Sequence, residues 1–268
     1  MHYHKPGLFE EILAQLVAAE IRPEQATRKD ISGVDEFHVR GAQVSKELAK
    51  TIELEGRRLL DVGCGIGGPC RMLADEFNCM VTGIDLSHEF IRTANQLSVL
   101  LGMEKKTKFL QGNATNLPFA DASFDVVWTQ HVQMNIEDKN KFYSEIDRVL
   151  AKGGSFIYYD IFKGKNTSLN FPVPWADEPA ISFLTDAEKV QEILTKLKLE
   201  MVLKTDQTKA GIEFFEELLN RKQKQKRSKL GLNVLMGESG KTKLLNVLEG
   251  LKKECLVLES CVYRKKAS

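Results

Sequence analysis

The sequence predicts an α/β fold, in which a mainly parallel sheet is covered by helices. Three observations carry this prediction. Short apolar strands alternate with amphipathic helices from about residue 58 to residue 161, an order typical of a parallel sheet with right-handed crossovers. A glycine-rich turn, DVGCGIGG at residues 61–68, separates the first strand of this series from its first helix. An apolar fraction of 43% is enough for a buried core.

The segment before this alternation is predicted to be helical. Residues 9–20 carry apolar side chains at helical spacing, and residues 42–52 indicate a second helix. Between them, the string GVDEFHVRG at residues 33–41 is interpreted as a loop. We expect these elements, about residues 1–55, to form an N-terminal helical cap.

The alternating part supplies five strands and three helices. The strands are predicted at residues 58–62, 80–85, 107–111, 124–129 and 155–161, and the helices at residues 69–77, 88–101 and 139–151. Pro69 suits the first turn of its helix, because proline has no N–H group that would need a partner there.

The pattern breaks after the fifth strand. Residues 163–184 contain three prolines and little periodicity, which predicts an inserted lid. The sequence then predicts a helix at 186–198, a strand at 199–204, helices at 212–219 and 241–251, and a last strand at 255–263. No repeat divides the chain, and 268 residues fit one large domain, so residues 1–268 are treated as a single domain.

The composition limits the classes of partner. A net charge of +1 argues against a nucleic acid, and the basic run at residues 221–229 is interpreted as a solvated helix face. We find no apolar signal core and no apolar run long enough to span a membrane. Five cysteines without a CxxC pair fit reduced thiols and a cytoplasmic location. Because His2 and His4 have no suitably spaced ligands beside them, we expect no metal site.

The turn after the first strand is a candidate ligand site. Gly63, Gly65 and Gly68 have no Cβ to block a ligand, and we expect the amides of this turn to face outward. Asp85 ends the second strand, where its carboxylate can accept hydrogen bonds from both hydroxyls of a ribose. Asp61 can orient the loop or meet the ammonium of an amino-acid-like ligand.

The same glycines fit the GxGxxG pattern of nicotinamide-dependent oxidoreductases, which is weak evidence alone. Four strings occur in order: DVGCGIGG, IDLS at 84–87, GNATNLPFADASFDVVW at 112–128 and RVLAKGG at 148–154. Together they resemble the class I methyltransferases that use S-adenosyl-L-methionine (SAM), over about residues 59–161. A looser likeness, including DEFH at 35–38, points to the small-molecule branch, which includes enzymes acting on sarcosine and dimethylglycine and methyltransferases of quinone biosynthesis.

This resemblance implies a Rossmann-like, doubly wound sheet of seven strands, mostly parallel with an antiparallel last strand, and SAM as the cofactor. It implies that Asp85 holds the ribose and Leu86 packs on the adenine. Asn113 stands where many members of the family have an aspartate, and its amide can both donate to and accept from an adenine. The full cofactor set that it implies is Asp61, Gly63, Cys64, Gly65, Asp85, Leu86, Asn113, Ala114 and Gln130.

A small-molecule methyl acceptor is expected on the same rim of the sheet. His131 is the leading candidate for a general base, because an imidazole exchanges protons near neutrality; a hydrogen-bonded structural role is the alternative. Asp160 is the second catalytic candidate. Like Tyr159, it either binds a substrate amine or hydroxyl or only stabilises a strand end.

Three further residues are candidate substrate contacts, namely His38, Asn135 and Trp175. His38 together with Arg40 fits an anionic acceptor. The residues leave open whether nitrogen, carbon or oxygen is methylated and whether the protein is a homodimer. They also leave two other functions open: a SAM-binding regulatory or scaffold protein without catalysis, and an NAD-dependent oxidoreductase, which Asp61 and the GNATNLPF string disfavour.

Overall fold

The computed structural model of the chain describes residues 7–224 and 239–267, with the side chains of residues 221–224 left out. These residues form a sheet of seven strands in the order β3-β2-β1-β4-β5-β7-β6. The strands are β1 (Arg58–Val62), β2 (Met80–Asp85), β3 (Thr107–Gln111), β4 (Phe124–Gln130), β5 (Leu150–Lys163), β6 (Leu199–Asp206) and β7 (Leu256–Lys265). Strands β1 to β5 pair in parallel, whereas β7 runs antiparallel between β5 and β6. The predicted fold class is confirmed.

Helices connect and cover these strands. In the described part of the chain they are α1 (Leu8–Ala18), α2 (Arg28–Asp35), α3 (Ala42–Ala49), α4 (Gly68–Glu76), α5 (His88–Leu100), α6 (Lys139–Val149), α7 (Ala187–Lys196), α8 (Thr208–Lys224) and α9 (Gly240–Lys252). None of them is long and apolar enough to cross a membrane. His2, His4 and the side chains of the basic run at 221–229 lie outside the described residues.

The predicted elements agree best with the structure between β1 and β4. Helix α2 was missed: part of it falls in the expected loop at residues 33–41. Its eight residues include Gly33 and only two buried apolar side chains, Ile31 and Val34, so its periodicity is weak. The stronger signal is the pair Thr27 and Asp30, because the Thr27 N–H donates to Asp30 Oδ2 (2.8 Å) and closes a capping box at the helix start.

Alternate residues of each central strand face opposite layers of the core. Leu59 belongs to the cluster that packs α3, α4, α8 and α9 on one face, and Leu60 belongs to the cluster that packs α6 and α7 on the other. A third cluster joins α1, α2 and α5. The chain leaves β1 toward β2 and β3 on one side and later fills β4 and β5 on the other, so a crevice forms beyond the ends of β1 and β4.

A buried ion pair fixes the N-terminal segment over this crevice. The fully buried Arg71 of α4 places Nη2 2.5 Å from Asp35 Oδ1 at the end of α2. The two helices approach so closely that a Cβ on Gly68 would lie 1.8 Å from the Asp35 carbonyl oxygen. Glycine is therefore required at position 68 by packing.

Asp35→Asn should lower the free energy of unfolding by about 3–5 kcal/mol, because it leaves the Arg71 guanidinium buried without its counter-charge. Urea unfolding measures this loss. The control is Asp75→Asn, which removes the same charge from an exposed pair with Arg28 and should cost no more than about 1 kcal/mol. Equal losses in the two variants would contradict a structural role for the buried pair.

Candidate functional site

A cavity of about 490 Å³ lies beyond the carboxyl ends of β1, β2 and β4. This volume is within the range of about 300–1,000 Å³ that is typical of small-molecule sites. Its walls come from the glycine loop, the N-terminal segment, the predicted lid, α8 and α9. Predicted site residues that line it are Asp61, Gly63, Cys64, Gly65, Asp85, Leu86, Asn113, Ala114, Gln130, His38, His131, Asn135 and Trp175.

Asp85 holds the glycine loop in place. Its Oδ2 accepts a hydrogen bond from the Gly65 N–H (3.0 Å), and its Oδ1 accepts one from the Ser87 N–H (2.9 Å). The Leu86 N–H also interacts with this carboxylate, and the three backbone amides lower the pKa of Asp85 against the larger effect of burial, which raises it. A carboxylate has about four lone-pair positions, so Asp85 can position the loop and keep capacity to accept from a ligand.

The amides of the glycine loop do not face outward, which corrects the expectation from the sequence. The N–H groups of Gly63 and Cys64 both donate to the Ile84 carbonyl (2.8 and 3.1 Å), and the Gly65 N–H donates to Asp85. Inward-pointing amides satisfy the backbone without a ligand. No described group donates to the Gly63 carbonyl, so this part of the loop can offer an acceptor to a cation.

Asp61 is a buried carboxyl group beside that loop. Burial raises its pKa to about 7, although a hydrogen bond from the Cys70 thiol (3.1 Å) acts in the opposite direction. Such a group gains most from a ligand that carries positive charge, because an ammonium would offset the cost of burying the carboxylate.

Asn113 is constrained by its own turn. Its Oδ1 accepts from both the N–H and the hydroxyl of Thr115, each at 2.9 Å. Both lone pairs of that oxygen are thus in use, and the side-chain NH₂ remains to donate to a ligand. In this orientation, Asn113 can donate to a ring nitrogen but cannot accept from an exocyclic amine.

Leu86, Ala114 and Gln130 also line the cavity, at the end that contains Asp61 and Asp85. Leu86 is 55% exposed, which is high for a leucine next to a core strand, and apolar surface of this kind suits a flat ring. The Gln130 amide contacts the Ser45 hydroxyl (Nε2 to Oγ, 3.1 Å), so it is tied to α3.

His131 lines the cavity, but both of its ring nitrogens are engaged. Its Nε2 accepts a hydrogen bond from the Val39 N–H (3.1 Å), and its Nδ1 lies 3.3 Å from the Tyr159 carbonyl oxygen. Burial lowers its pKa to about 3. A free general base at this position does not fit this geometry; the ring instead ties the N-terminal segment to the end of β4.

His38 differs from His131 because only one of its two ring nitrogens, Nε2, has hydrogen-bond partners in the described part of the chain. Its Nε2 lies 3.0 Å from the Gly41 carbonyl oxygen and 3.0 Å from the Ser45 hydroxyl oxygen. Because a carbonyl only accepts, the contact with Gly41 requires the tautomer with the hydrogen on Nε2. In that tautomer the lone pair is on Nδ1, which has no hydrogen-bond partner among the described residues. Burial lowers the pKa of His38 to about 4, so the ring is neutral near pH 7.

Asp160 and Tyr159 are not among the residues that line the cavity. The Asp160 carboxylate is buried and accepts from the N–H groups of Val132, Gln133 and Ile161 (3.2, 3.1 and 3.0 Å). The Tyr159 ring is buried and packs 4.8 Å from the His131 ring. Both residues stabilise the adjacent ends of β4 and β5.

Arg40 is also absent from the cavity lining. It donates to Gln207 Oε1 (2.8 Å) and to Glu47 Oε1 (2.7 Å), so its charge is already compensated and an anionic acceptor gripped by Arg40 does not fit this arrangement. Asn135 does line the cavity, with Nδ2 3.4 Å from the Val132 carbonyl oxygen.

The far end of the cavity is apolar, and the sequence did not identify most of it. Trp175 was expected there and is buried, with its indole N–H donating to Ser182 Oγ (2.9 Å). The apolar residues of the cavity wall as a whole that were missed include Phe37, Met134, Ile136, Phe214, Phe215, Leu218, Leu244 and Val247. Helical spacing placed several of them on helices but gave no sign that these helices reach the same rim. Among the residues with described side chains, no group of three His, Cys, Asp or Glu residues could hold a metal ion.

Comparison with known proteins bears on this site. Residues 60–158 match the family model described as a methyltransferase domain. Norajmaline N-methyltransferase of Rauvolfia serpentina is 31% identical over 173 residues, which cover 61% of this chain and 59% of that protein. Tocopherol O-methyltransferase of Arabidopsis thaliana is 34% identical over 156 residues, which cover 56% of this chain and 45% of that protein. The chain thus spans about half the length of these curated relatives.

The fold has solved relatives as well. Phosphoethanolamine N-methyltransferase 2 of Haemonchus contortus, in complex with SAM, superposes with a TM-score of 0.74 at 19% identity, over 95% of this chain and 60% of that one. At this identity the likeness establishes the fold alone. The family match is the stronger finding, and it agrees with the four strings singled out in the sequence: residues 60–158 are similar to the methyltransferase domain that this model describes.

Proposed function

We propose that this protein is a SAM-dependent methyltransferase that transfers a methyl group to the nitrogen, carbon or oxygen of a small molecule. The observation that carries the proposal is a single cavity with two chemically different ends. One end has Asp61, Asp85 and the glycine loop, and the other is lined by apolar side chains of the lid, α8 and α9. The match to a methyltransferase domain favours this function over an oxidoreductase or a binding protein without catalysis.

The residues at the polar end fit the cofactor group by group. Asp85 would accept from the ribose hydroxyls with the lone pairs that Gly65 and Ser87 leave free. Asp61 and the Gly63 carbonyl would receive the ammonium. The side-chain NH₂ of Asn113 would donate to an adenine ring nitrogen.

The remaining residues of this end would enclose the cofactor. Leu86 and Ala114 would flank the adenine, and Cys64 would pack beside the loop. Gln130 would close the pocket from β4, where Ser45 holds its amide.

When bound, SAM supplies a methyl group made electrophilic by its sulfonium. The protein's own contribution is to position the two reactants and to exclude water. Fixing reactants in line accounts for about 7–11 kcal/mol in favourable cases. The N-terminal segment, fastened by Asp35 and by His131, and the lid, in which the Phe183 N–H donates to the Met134 carbonyl (2.9 Å), cover the cavity.

Proton transfer from the acceptor is assigned here to His38. With the hydrogen on Nε2, where it meets the Gly41 carbonyl, Nδ1 keeps a lone pair, whereas the lone pair of His131 is used by Val39. His131 is proposed as a positioning residue, and Asn135 and Trp175 as substrate contacts.

The proposal treats residues 1–268 as one domain with an N-terminal cap (about 1–55) and a lid (about 163–184). A cytoplasmic location is part of the proposal and is supported by five cysteines that are all unpaired in the structure. The near-neutral net charge supports the absence of a nucleic-acid partner. A screen of small-molecule acceptors with labelled SAM tests the activity: methyl transfer to none of them, in protein that binds SAM, would favour the scaffold alternative.

Asp85→Ala should weaken SAM binding about tenfold to a hundredfold, because it removes two charge-assisted hydrogen bonds and frees the Gly65 amide. Titration calorimetry measures the Kd. Asp125→Ala is the control, since Asp125 pairs with Arg58 near the opposite end of the strands, and its affinity for SAM should stay within about twofold. An unchanged Kd in Asp85→Ala would remove the proposed ribose contact.

SAM affinity should fall about tenfold between pH 7.0 and pH 5.5. With a pKa of about 7, Asp61 is increasingly protonated in the free protein as the pH drops, and it must lose that proton to meet the ammonium of SAM. Affinity therefore decreases with falling pH. Calorimetry across this range measures the slope, and Asp61→Asn should bind more weakly but with a nearly flat profile. A slope that persists in Asp61→Asn would assign the proton to another group.

The two histidines should respond differently to substitution. His131 has φ of 55°, a left-handed conformation that asparagine tolerates, so His131→Asn removes the bond from Val39 without straining the backbone. His131→Asn should therefore keep turnover within about threefold, whereas His38→Ala should lower kcat at least tenfold with little change in SAM affinity. Steady-state kinetics with an acceptor from the screen provide the measurement. The reverse ranking would return the base to His131.

A further inference from the structure

The apolar end of the cavity has a composition that selects among acceptors. We define the apolar chamber as the part lined by Trp175 from the lid, Phe214, Phe215 and Leu218 from α8, and Leu244 and Val247 from α9. We propose that this chamber binds a neutral, apolar acceptor molecule rather than a small polar or anionic one. This inference rests on the proposed function and adds the class of substrate.

Charge is the first argument. The described residues that line the cavity include neither lysine nor arginine. Its ionisable side chains are Asp35, Asp61, Asp85, the thiol of Cys64 and the neutral rings of His38 and His131, and Asp35 is already paired with Arg71. A phosphate or carboxylate moved from water into such a cavity would lose its hydration without gaining a counter-charge.

The basic side chains near the cavity are committed elsewhere. Lys139 Nζ donates to the carbonyl oxygens of Gln133 (2.6 Å) and Phe183 (2.7 Å). Lys243 Nζ lies 3.0 Å from Asp177 Oδ1, and Arg40 is bonded to Gln207 and Glu47. None of these three cations lines the cavity, so none is placed to neutralise an anionic acceptor there.

The walls of the chamber have few polar atoms that need a hydrogen-bond partner. The one polar atom of the Trp175 side chain is satisfied by Ser182. Phe214 and Phe215 pack with their ring centroids 5.6 Å apart in an edge-to-face arrangement. A small polar acceptor would leave these apolar walls in contact with water, whereas an apolar acceptor would cover them.

The acceptor atom itself still needs a polar partner, and the cavity supplies a few. His38, Gln130 and Asn135 line it and can form hydrogen bonds with one hydroxyl or amine of the acceptor, or lie beside a carbon that loses a proton. This pattern of mostly apolar walls with a few polar groups is typical of sites for compact organic ligands. It contrasts with what a phosphorylated acceptor, as the name of the Haemonchus contortus enzyme states, would require.

The test uses three probes with the same chain and different head groups: octan-1-ol (neutral), octanoate (anionic) and octylamine (cationic). Binding to the full chain is measured by calorimetry in the presence of saturating S-adenosylhomocysteine, the demethylated cofactor. We expect octan-1-ol to bind with a Kd at least tenfold lower than that of octanoate and that of octylamine. Octanoate binding as tightly as octan-1-ol would overturn the inference.

Two neighbouring leucines of α9 provide matched variants. Leu244 lines the chamber, whereas Leu245 is 38% exposed and does not. Leu244→Arg should weaken octan-1-ol binding at least tenfold and leave the Kd for S-adenosylhomocysteine within about twofold, while Leu245→Arg should change neither. If Leu244→Arg does not fold, Phe214→Ala should give a several-fold loss by removing part of the wall. Equal octan-1-ol binding in the variants and the parent protein would contradict the proposed chamber.

The same titrations separate the two proposals. If S-adenosylhomocysteine gives no binding heat with folded protein, the proposed function fails. If it binds but octan-1-ol does not, only the proposed class of acceptor fails.

Discussion

The parallel register of β1 and β2 places Val62 beside Ile84, and the local structure of the site follows from that pairing. One residue beyond it, the chain turns, and the Ile84 carbonyl receives the N–H groups of both Gly63 and Cys64. The next residue of β2, Asp85, then receives the N–H of Gly65. Three consecutive amides of the loop are thus held by two consecutive residues of the neighbouring strand. A loop fixed in this way costs no reorganisation when a ligand arrives.

How far the site could be predicted depended on how local each interaction is. The glycine turn, Asp61 and Asp85 lie within 25 residues of one another, and strand pairing alone brings them together. The role of His131 depends on Val39, 92 residues away, and nothing in either stretch signals that contact. The role of Asp160 was also not predictable from local sequence, because its carboxylate accepts hydrogen bonds from amides of the turn after β4.

The sheet was predicted almost completely, because hydrophobic alternation is a local signal. The apolar chamber was not, since its walls come from the lid and from two helices between β6 and β7. Their periodicity shows which faces are apolar but not what they cover. Phe215 and Leu244 therefore had the pattern of ordinary core residues. In the structure they pack against the core cluster on the sheet and also line the cavity.

The two ends of the cavity come from different parts of the chain. The residues proposed to hold the adenosyl group come from the first half of the chain, up to β4. The walls of the chamber come from Trp175 onward, in connections that no parallel strand register constrains. Insertions or substitutions in these connections can reshape the acceptor pocket while the hydrogen bonds of Asp85 and Ile84 stay intact. The wall of the chamber can therefore change its shape and chemistry independently of the glycine loop, which allows one scaffold to serve different ligands.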